Sequence, residues 1–256
     1  MKKILLTLLL STMFNYVMAQ ESSLWYNRPA AHWLEALPIG NSHMGAMVYG
    51  GTNTEEIQLN EETFWSGSPH HNNSAEAKAH LQEVRQLIFD GKEEEAHQLI
   101  DRYFFKGPHG MRYLPMGSLK LTFDSLGTVS QYRRDLNIDN ATASVSYVRN
   151  GVTFRRTCFA SLADGVIVVR LEASQPVLHF SLAFDSQLPM QCGVKDHQLT
   201  AIVEGAEHEG IPAGLKAECV VRVKSDGKLT DAGTNIMVDG AREATLYIAA
   251  ATNFVN

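Results

Sequence analysis

Residues 143–159 read "ASVSYVRNGVTFRRTCF". Two apolar-rich runs flank Asn150-Gly151, the dipeptide that a two-residue hairpin turn with positive φ at both central positions favours. This hairpin sets the reading of the chain on either side of it. Downstream, Asp164-Gly165 leads into "VIVVRLEAS" and Gln175-Pro176 into "VLHFSLAFDS". Then come "LTAIVE", "LKAECVVRVKS", Asp226-Gly227, "NIMV" and "EATLYIAAAT". Turn signals at intervals of about ten residues predict an antiparallel sandwich. Residues 166–171 and 246–251 are apolar on both faces, which predicts central strands covered on both sides.

Upstream, "LKLTF" (119–123) alternates as a strand does. Before it the period changes. Leu81, Val84, Leu87 and Ile88, then Ala96, Leu99, Ile100 and Tyr103, recur at helical spacing around Asp90-Gly91. A pair of amphipathic helices is predicted within residues 74–105, with Asn73 and Glu76 as a capping start. The runs "AEAK" and "KEEE" read as solvated faces. Earlier still, "MGAMVYGG" (44–51) and "EEIQLN" (55–60) read as two short strands around Gly50-Gly51. Gly45, inside a strand pattern, predicts a close backbone approach or a bulge. Gly40 and Gly45 have the spacing of a phosphate loop, but Ala46 and Met47 follow where Lys and a hydroxyl are required. These glycines shape turns and bind no phosphate.

The chain opens "MKKILLTLLLSTMFNYVMAQ". Lys2 and Lys3, a short apolar run and Val17-Met18-Ala19 read as a secretory leader cut after Ala19. The alternative is a buried first element. The apolar run is shorter than the roughly 20 residues that a membrane span needs. Residues 20–256 then form one large β domain without linker or repeat. Removing Lys2 and Lys3 leaves 20 basic against 28 acidic residues. That balance argues against a nucleic-acid partner, whose affinity rests on basic patches. Cys158, Cys192 and Cys219 form no C-x-x-C pair, and three buried thiols is the plainer reading. The ten histidines show no metal spacing, and neither a metal nor a cofactor is expected.

Three segments, "LPIGNSHMGAMVYGG" (37–51), "QLNEETFWSG" (58–67) and "HGMRYLPMGSLKLTF" (109–123), resemble in order and spacing the N-terminal domain of glycoside hydrolase family 95. Ser42 and Phe64 replace a usual Gly and Leu of the pattern. The likeness covers residues 24–254. It implies a galactose-mutarotase-like supersandwich, mainly β, from an enzyme acting on terminal α-1,2-linked L-fucose of glycans, or on related L-galactosides. It also implies that the general acid and the water-activating residues lie on a following helical (α/α) toroid. The sequence ends at "AATNFVN", so no catalytic residue is expected in this chain. A truncated frame or a split gene is the expectation, with the downstream helical domain as partner.

Among the residues present, Glu55-Glu56 and Glu61-Glu62 are paired carboxylates. Neighbours in a strand point to opposite faces, so neither pair makes a ready acid–base couple. Both read as surface charges or backbone caps. Asn60, Glu61 and Trp65 are expected in one short loop, with Arg112 and Tyr113 in a second, together rimming a fucoside pocket. Trp offers an aromatic face and an N–H donor. The competing reading has Trp65 plugging the sandwich against the helical pair, the commoner fate of Trp. Trp25 and Trp33 carry the same ambiguity. A free-standing carbohydrate-binding sandwich is the second function hypothesis. A sugar epimerase is the third, needing a His and a carboxylate over one sugar, and His179 and Asp185 lie about 20 Å of strand apart.

Overall fold

The computed structural model describes residues 22–71, 73–105, 110–124 and 127–255. The leader read in residues 1–19 lies outside the described residues. In chain order the elements begin with β1 (Ser23–Tyr26), β2 (Leu37–Gly40), β3 (Met44–Val48), β4 (Thr54–Glu61), α1 (Ala77–Phe89) and α2 (Glu93–Tyr103). There follow β5 (Gly117–Phe123), β6 (Val129–Asn137), β7 (Thr142–Arg149), β8 (Val152–Ser161), β9 (Val166–Ala173) and β10 (Leu178–Asp185). The last are β11 (Met190–Lys195), β12 (Gln198–Glu204), β13 (Lys216–Ser225), β14 (Lys228–Ala232), β15 (Asn235–Ala241) and β16 (Glu243–Thr252).

The predicted hairpin is β7–β8, with Asn150 at φ 51° and Gly151 at φ 76°. Its register sets Ala143 opposite Cys158 and Tyr147 opposite Phe154, whose rings stack at 5.1 Å. Those residues and Val145 face inward and are buried, and each large apolar side chain removed from water contributes about 1.5–3 kcal/mol. The hairpin belongs to a nine-stranded sheet ordered β1-β6-β7-β8-β9-β16-β13-β12-β11. A seven-stranded sheet, β14-β15-β10-β5-β4-β3-β2, packs against it, and neighbouring strands are antiparallel. One continuous apolar core lies between them. The fold is the predicted large β-sandwich with a helical pair inserted between β4 and β5.

Several details differ from the sequence reading. Strands β9 and β16 are central, but only laterally covered. Ile167, Val169, Leu246 and Ile248 are buried, while Val168 is half-buried and Tyr247 exposed on the outer face. A middle position in a sheet supplies neighbours on either side and no layer above. Helix α1 begins without an Asn73 cap: the Ser74 hydroxyl accepts from the Glu76 N–H at 3.3 Å, and Glu76 makes no side-chain cap bond. The helices pack on each other and bury only Val84 and Ala96. Gly45 meets nothing closer than 3.9 Å where a Cβ would stand, so no close approach explains it. Gly51 does: its Cβ would overlap the Thr54 carbonyl. Of the thiols, Cys158 and Cys219 are buried and pushed up to about 12 by burial, whereas Cys192 is half-buried.

The carboxylate of Glu55 is fully buried, where a surface charge was one reading. It forms an ion pair with buried Arg156 and accepts from the Tyr49 and Gly50 amides at 3.1 and 2.8 Å. Desolvation pulls the Arg156 guanidinium down to about 10. Arg149 and Arg134, also buried, donate to carbonyls of Thr52, Arg28 and Glu35. Buried cations of the nine-stranded sheet thus bind loop backbone, and so tie the β3–β4 turn and the β1–β2 connection to that sheet.

Candidate functional site

At the far end of β4 the chain turns through Glu61–Ser66 and meets the segment that enters β5. Ser66 N–H donates to Arg112 O at 2.8 Å, and Leu114 N–H donates to Phe64 O at 3.0 Å. Trp65 and Tyr113 form an antiparallel bridge. Side chains alternate along such a ribbon. Phe64 and Leu114 therefore point inward, 0% and 7% exposed, while Trp65 and Tyr113 point outward, 43% and 42% exposed. Phe64 fills the plug position, and Trp65 is free of the core. The ring centroids of Trp65 and Tyr113 are 5.0 Å apart with planes at 51°, a tilted aromatic pair.

Both rings have their polar atoms tied to the protein. Trp65 Nε1 donates to Glu62 O at 2.9 Å, and Tyr113 OH donates to Glu61 O at 3.0 Å. The Trp65 N–H expected for a ligand is thus already engaged, and what faces out is ring surface. Glu61 is buried, and its Oε2 accepts from Thr63 N and Thr63 Oγ1, both at 2.8 Å. It caps the turn. The Thr63 hydroxyl also meets that of Thr252 at the end of β16. Glu62 is paired with His43. Glycoside hydrolysis by inversion needs a carboxyl pair about 6.5–9.5 Å apart facing the sugar, and Glu61 faces its own backbone.

The site residues do not all converge. Trp65, Arg112, Tyr113 and the Glu61 turn come together, with Arg112 exposed at the rim. Asn60 does not: one residue before the end of β4, it points to the opposite face from Glu61, across from Gly45 on the outside of the seven-stranded sheet. His179 and Asp185 are also separately engaged, with Asp239 and Lys120. Trp25 and Trp33 are exposed and lie outside the core. The guanidinium of Arg133 lies 5.2 Å from the Trp25 ring centroid.

Directly beyond Trp65 is a cleft of about 550 Å³. Its walls come from residues 66–70, Met111, Gly214, Leu215 and the segment after β16, Asn253 and Phe254 included. Gly67, at φ 70°, holds the wall: its N–H donates to Ala206 O and its carbonyl accepts from Gly214 N–H, each at 2.8 Å. A side chain at Gly67 would collide with Met111 Sδ. His70 lines the cleft. Its Nδ1 lies 3.1 Å from Ser68 O, which can only accept, so Nδ1 is the donor and, in the neutral ring, Nε2 is an acceptor. That Nε2 is buried and has no hydrogen-bond partner among the described residues. Sequence reading weighed His70 only for metal spacing. Its one local signal was Gly-Ser-Pro ahead of it, which marks a turn tight enough to aim the ring.

Residues 24–256 match the family described as "Glycosyl hydrolase family 65, N-terminal domain". The chain is 31% identical over 258 residues to "Alpha-L-fucosidase 2" of Arabidopsis thaliana, covering 90% of this chain and 30% of the relative. It is 26% identical to "Probable alpha-fucosidase A" of Aspergillus niger, covering 92% of this chain and 31% of the relative. A solved structure, "Putative kojibiose phosphorylase from human microbiome", superposes with a TM-score of 0.52 at 9% identity over 93% of this chain and 33% of that one. The last likeness is one of fold. The chain spans about a third of the length of the curated relatives it matches.

Proposed function

The chain belongs to the N-terminal domain family of glycosyl hydrolase family 65, and from that premise we propose that it is the substrate-rimming sandwich of an exported α-L-fucosidase-type glycosidase. The substrate is a terminal α-L-fucoside of a glycan, α-1,2-linked. The acid and the water-activating groups belong to a downstream helical domain. The α-fucosidase names of the relatives support the substrate class, and their greater length supports a domain beyond this one.

The observation that carries this reading is the Trp65–Tyr113 pair: two exposed rings, polar atoms satisfied, beside the cleft that the segment after β16 also lines. Ring faces of this kind stack on the apolar face of a sugar. Held by a β-bridge, they lose little side-chain entropy on binding. His70 Nε2 offers a hydroxyl an acceptor in a site otherwise largely apolar. The sandwich thus positions and desolvates, while proton transfer comes from elsewhere.

The test is turnover of 2′-fucosyllactose. The 256-residue chain alone releases no fucose above background. Joined to the helical domain it does, and Trp65→Ala then raises KM with kcat nearly unchanged. Release of fucose by this chain alone, abolished by Glu61→Gln, would overturn the assignment. Export is tested separately: secreted protein from the native host begins at or near Gln20.

A further inference from the structure

On the outer face of the nine-stranded sheet is a second concavity that the activity above does not use. It is an open cleft of about 570 Å³ on the outer face of β11, β12 and β13. Strand register shows how it arises. Gly193 of β11 pairs with Thr200 of β12, which pairs with Val220 of β13. Thr200 faces outward, between inward Leu199 and Ala201, so Gly193 faces outward too. A Cβ built at Gly193 meets nothing within 4 Å. The floor of the cleft is the side chain that Gly193 lacks.

Polar groups ring that floor. Lys195, Gln198 and Arg222 stand in one cross-strand row, and Arg222 Nη2 donates to Gln198 Oε1 at 3.3 Å. Gln191, Asp196, Thr200 and Ile202 also line it, with Cys192 and Val194 of β11. The next residue along the row is Tyr247 of β16, a half-exposed ring with Lys224 Nζ 5.6 Å from its centroid. The rim turn is the two-residue loop that joins β11 to β12, with positive φ at both positions as such a turn requires. Asp196 and His197, neither a glycine, both hold positive φ, at 52° and 59°. Asp231 of the other sheet keeps them there, accepting from His197 N–H at 3.2 Å and bonding His197 Nδ1 at 2.7 Å.

We infer that this cleft binds one face of a neutral oligosaccharide, at a site separate from the fucoside pocket. Charges of both signs, amides and a hydroxyl alternate around it, which suits hydroxyl groups that both donate and accept. The Arg222–Gln198 pair presents a planar edge to neighbouring hydroxyls, and Ile202 and Tyr247 give apolar surface to C–H faces. The cleft is open, so it accepts an extended chain. It is also separate from the other cleft: Thr200 lies about 13 Å of strand before the end of β12 at Glu204, and Ala206, which anchors the other cleft, comes after that end.

The experiment is a titration of ¹⁵N-labelled protein with 2′-fucosyllactose and with maltotetraose, followed by amide shifts. Saturable shifts at Gly193, Thr200 and Arg222 are expected with either glycan, with a dissociation constant in the range of about 1 mM. Gly193→Val fills the floor without a backbone penalty, since its φ is not positive. It should weaken binding at least about tenfold while leaving the unfolding midpoint unchanged or higher. Arg222→Met should weaken binding similarly, and Trp65→Ala should leave these shifts intact. Shifts confined to the neighbourhood of Trp65, no shifts with about 20 mM glycan, or a Gly193→Val protein that binds like the parent would overturn the inference.

Discussion

The two ends of β4 solve opposite problems with the same residue types. At its start, Glu55 is buried with Arg156, and Phe123 lies inside, its ring 5.2 Å from the guanidinium carbon. At its end, Glu61 is folded back on Thr63, and Trp65 and Tyr113 are turned outward. Carboxylate and aromatic thus serve stability at one end, whereas at the other the aromatic is released for contact. The difference teaches that identity alone does not mark a functional residue. What marks it is exposure without an unsatisfied polar group, held by a rigid scaffold.

The largest effect that tests the contrast is at the buried end. Glu55→Gln leaves Arg156 charged and unpaired in the core, and removing one partner of such a pair costs about 3–5 kcal/mol. Urea unfolding measures it. Glu61→Gln, which removes a charged acceptor from one turn, should cost only about 1 kcal/mol. Equal costs at the two ends would break the comparison.

Next in size is the alternation at the site itself. Phe64→Ala opens a cavity beside Leu114 and Met116 and should cost about 3–5 kcal/mol. Trp65→Ala, one residue on, removes an outward ring and should cost about 1 kcal/mol, the scale of one aromatic pair. In the proposed enzyme with its helical domain, the order reverses for substrate. Trp65→Ala should raise KM by about five- to tenfold, since lost stacking of about 1–1.4 kcal/mol amounts to that ratio. A Trp65→Ala protein as unstable as Phe64→Ala would place Trp65 in the core after all.

Much of this was legible in the chain. The Asn150-Gly151 hairpin and the helical pair carry strong local signals. Strand parity was legible too. In residues 55–61, Ile57 and Leu59 set the inward face, so Glu55 and Glu61 share it and Asn60 does not. What parity could not supply was Arg156, about a hundred positions away and meeting Glu55 only when the two sheets pack. Strand β6 escaped notice because its register shifts between Ser130 and Arg133, which breaks the alternation. Strand β11 alternates weakly because Gly193 stands where an outward side chain belongs. The competing reading of Trp65 as a core plug rested on the average burial of Trp, when its neighbour Phe64 was the better core residue by parity.

The smallest effect lies between these extremes, on a carboxylate that is neither buried nor in the site. Glu35 accepts from Arg28 and from the Ala31 amide, and these bonds hold its carboxyl well down, to about 2 from an ordinary 4.5. The turn they brace presents the Glu35 carbonyl to buried Arg134. A folded-state value below the unfolded one means stability that is present above the unfolded pKa and lost as pH falls through the folded one. Between pH 5 and 7 the parent protein should therefore be modestly more stable than Glu35→Gln. The gap should narrow as pH drops from about 4.5 and close near about 2. Exposure and salt keep it small, so 0.5 M NaCl should shrink it further, while the Glu55→Gln deficit, screened by protein, should barely respond. If salt affected both variants alike, the division between a buried structural node and a solvated brace would fail.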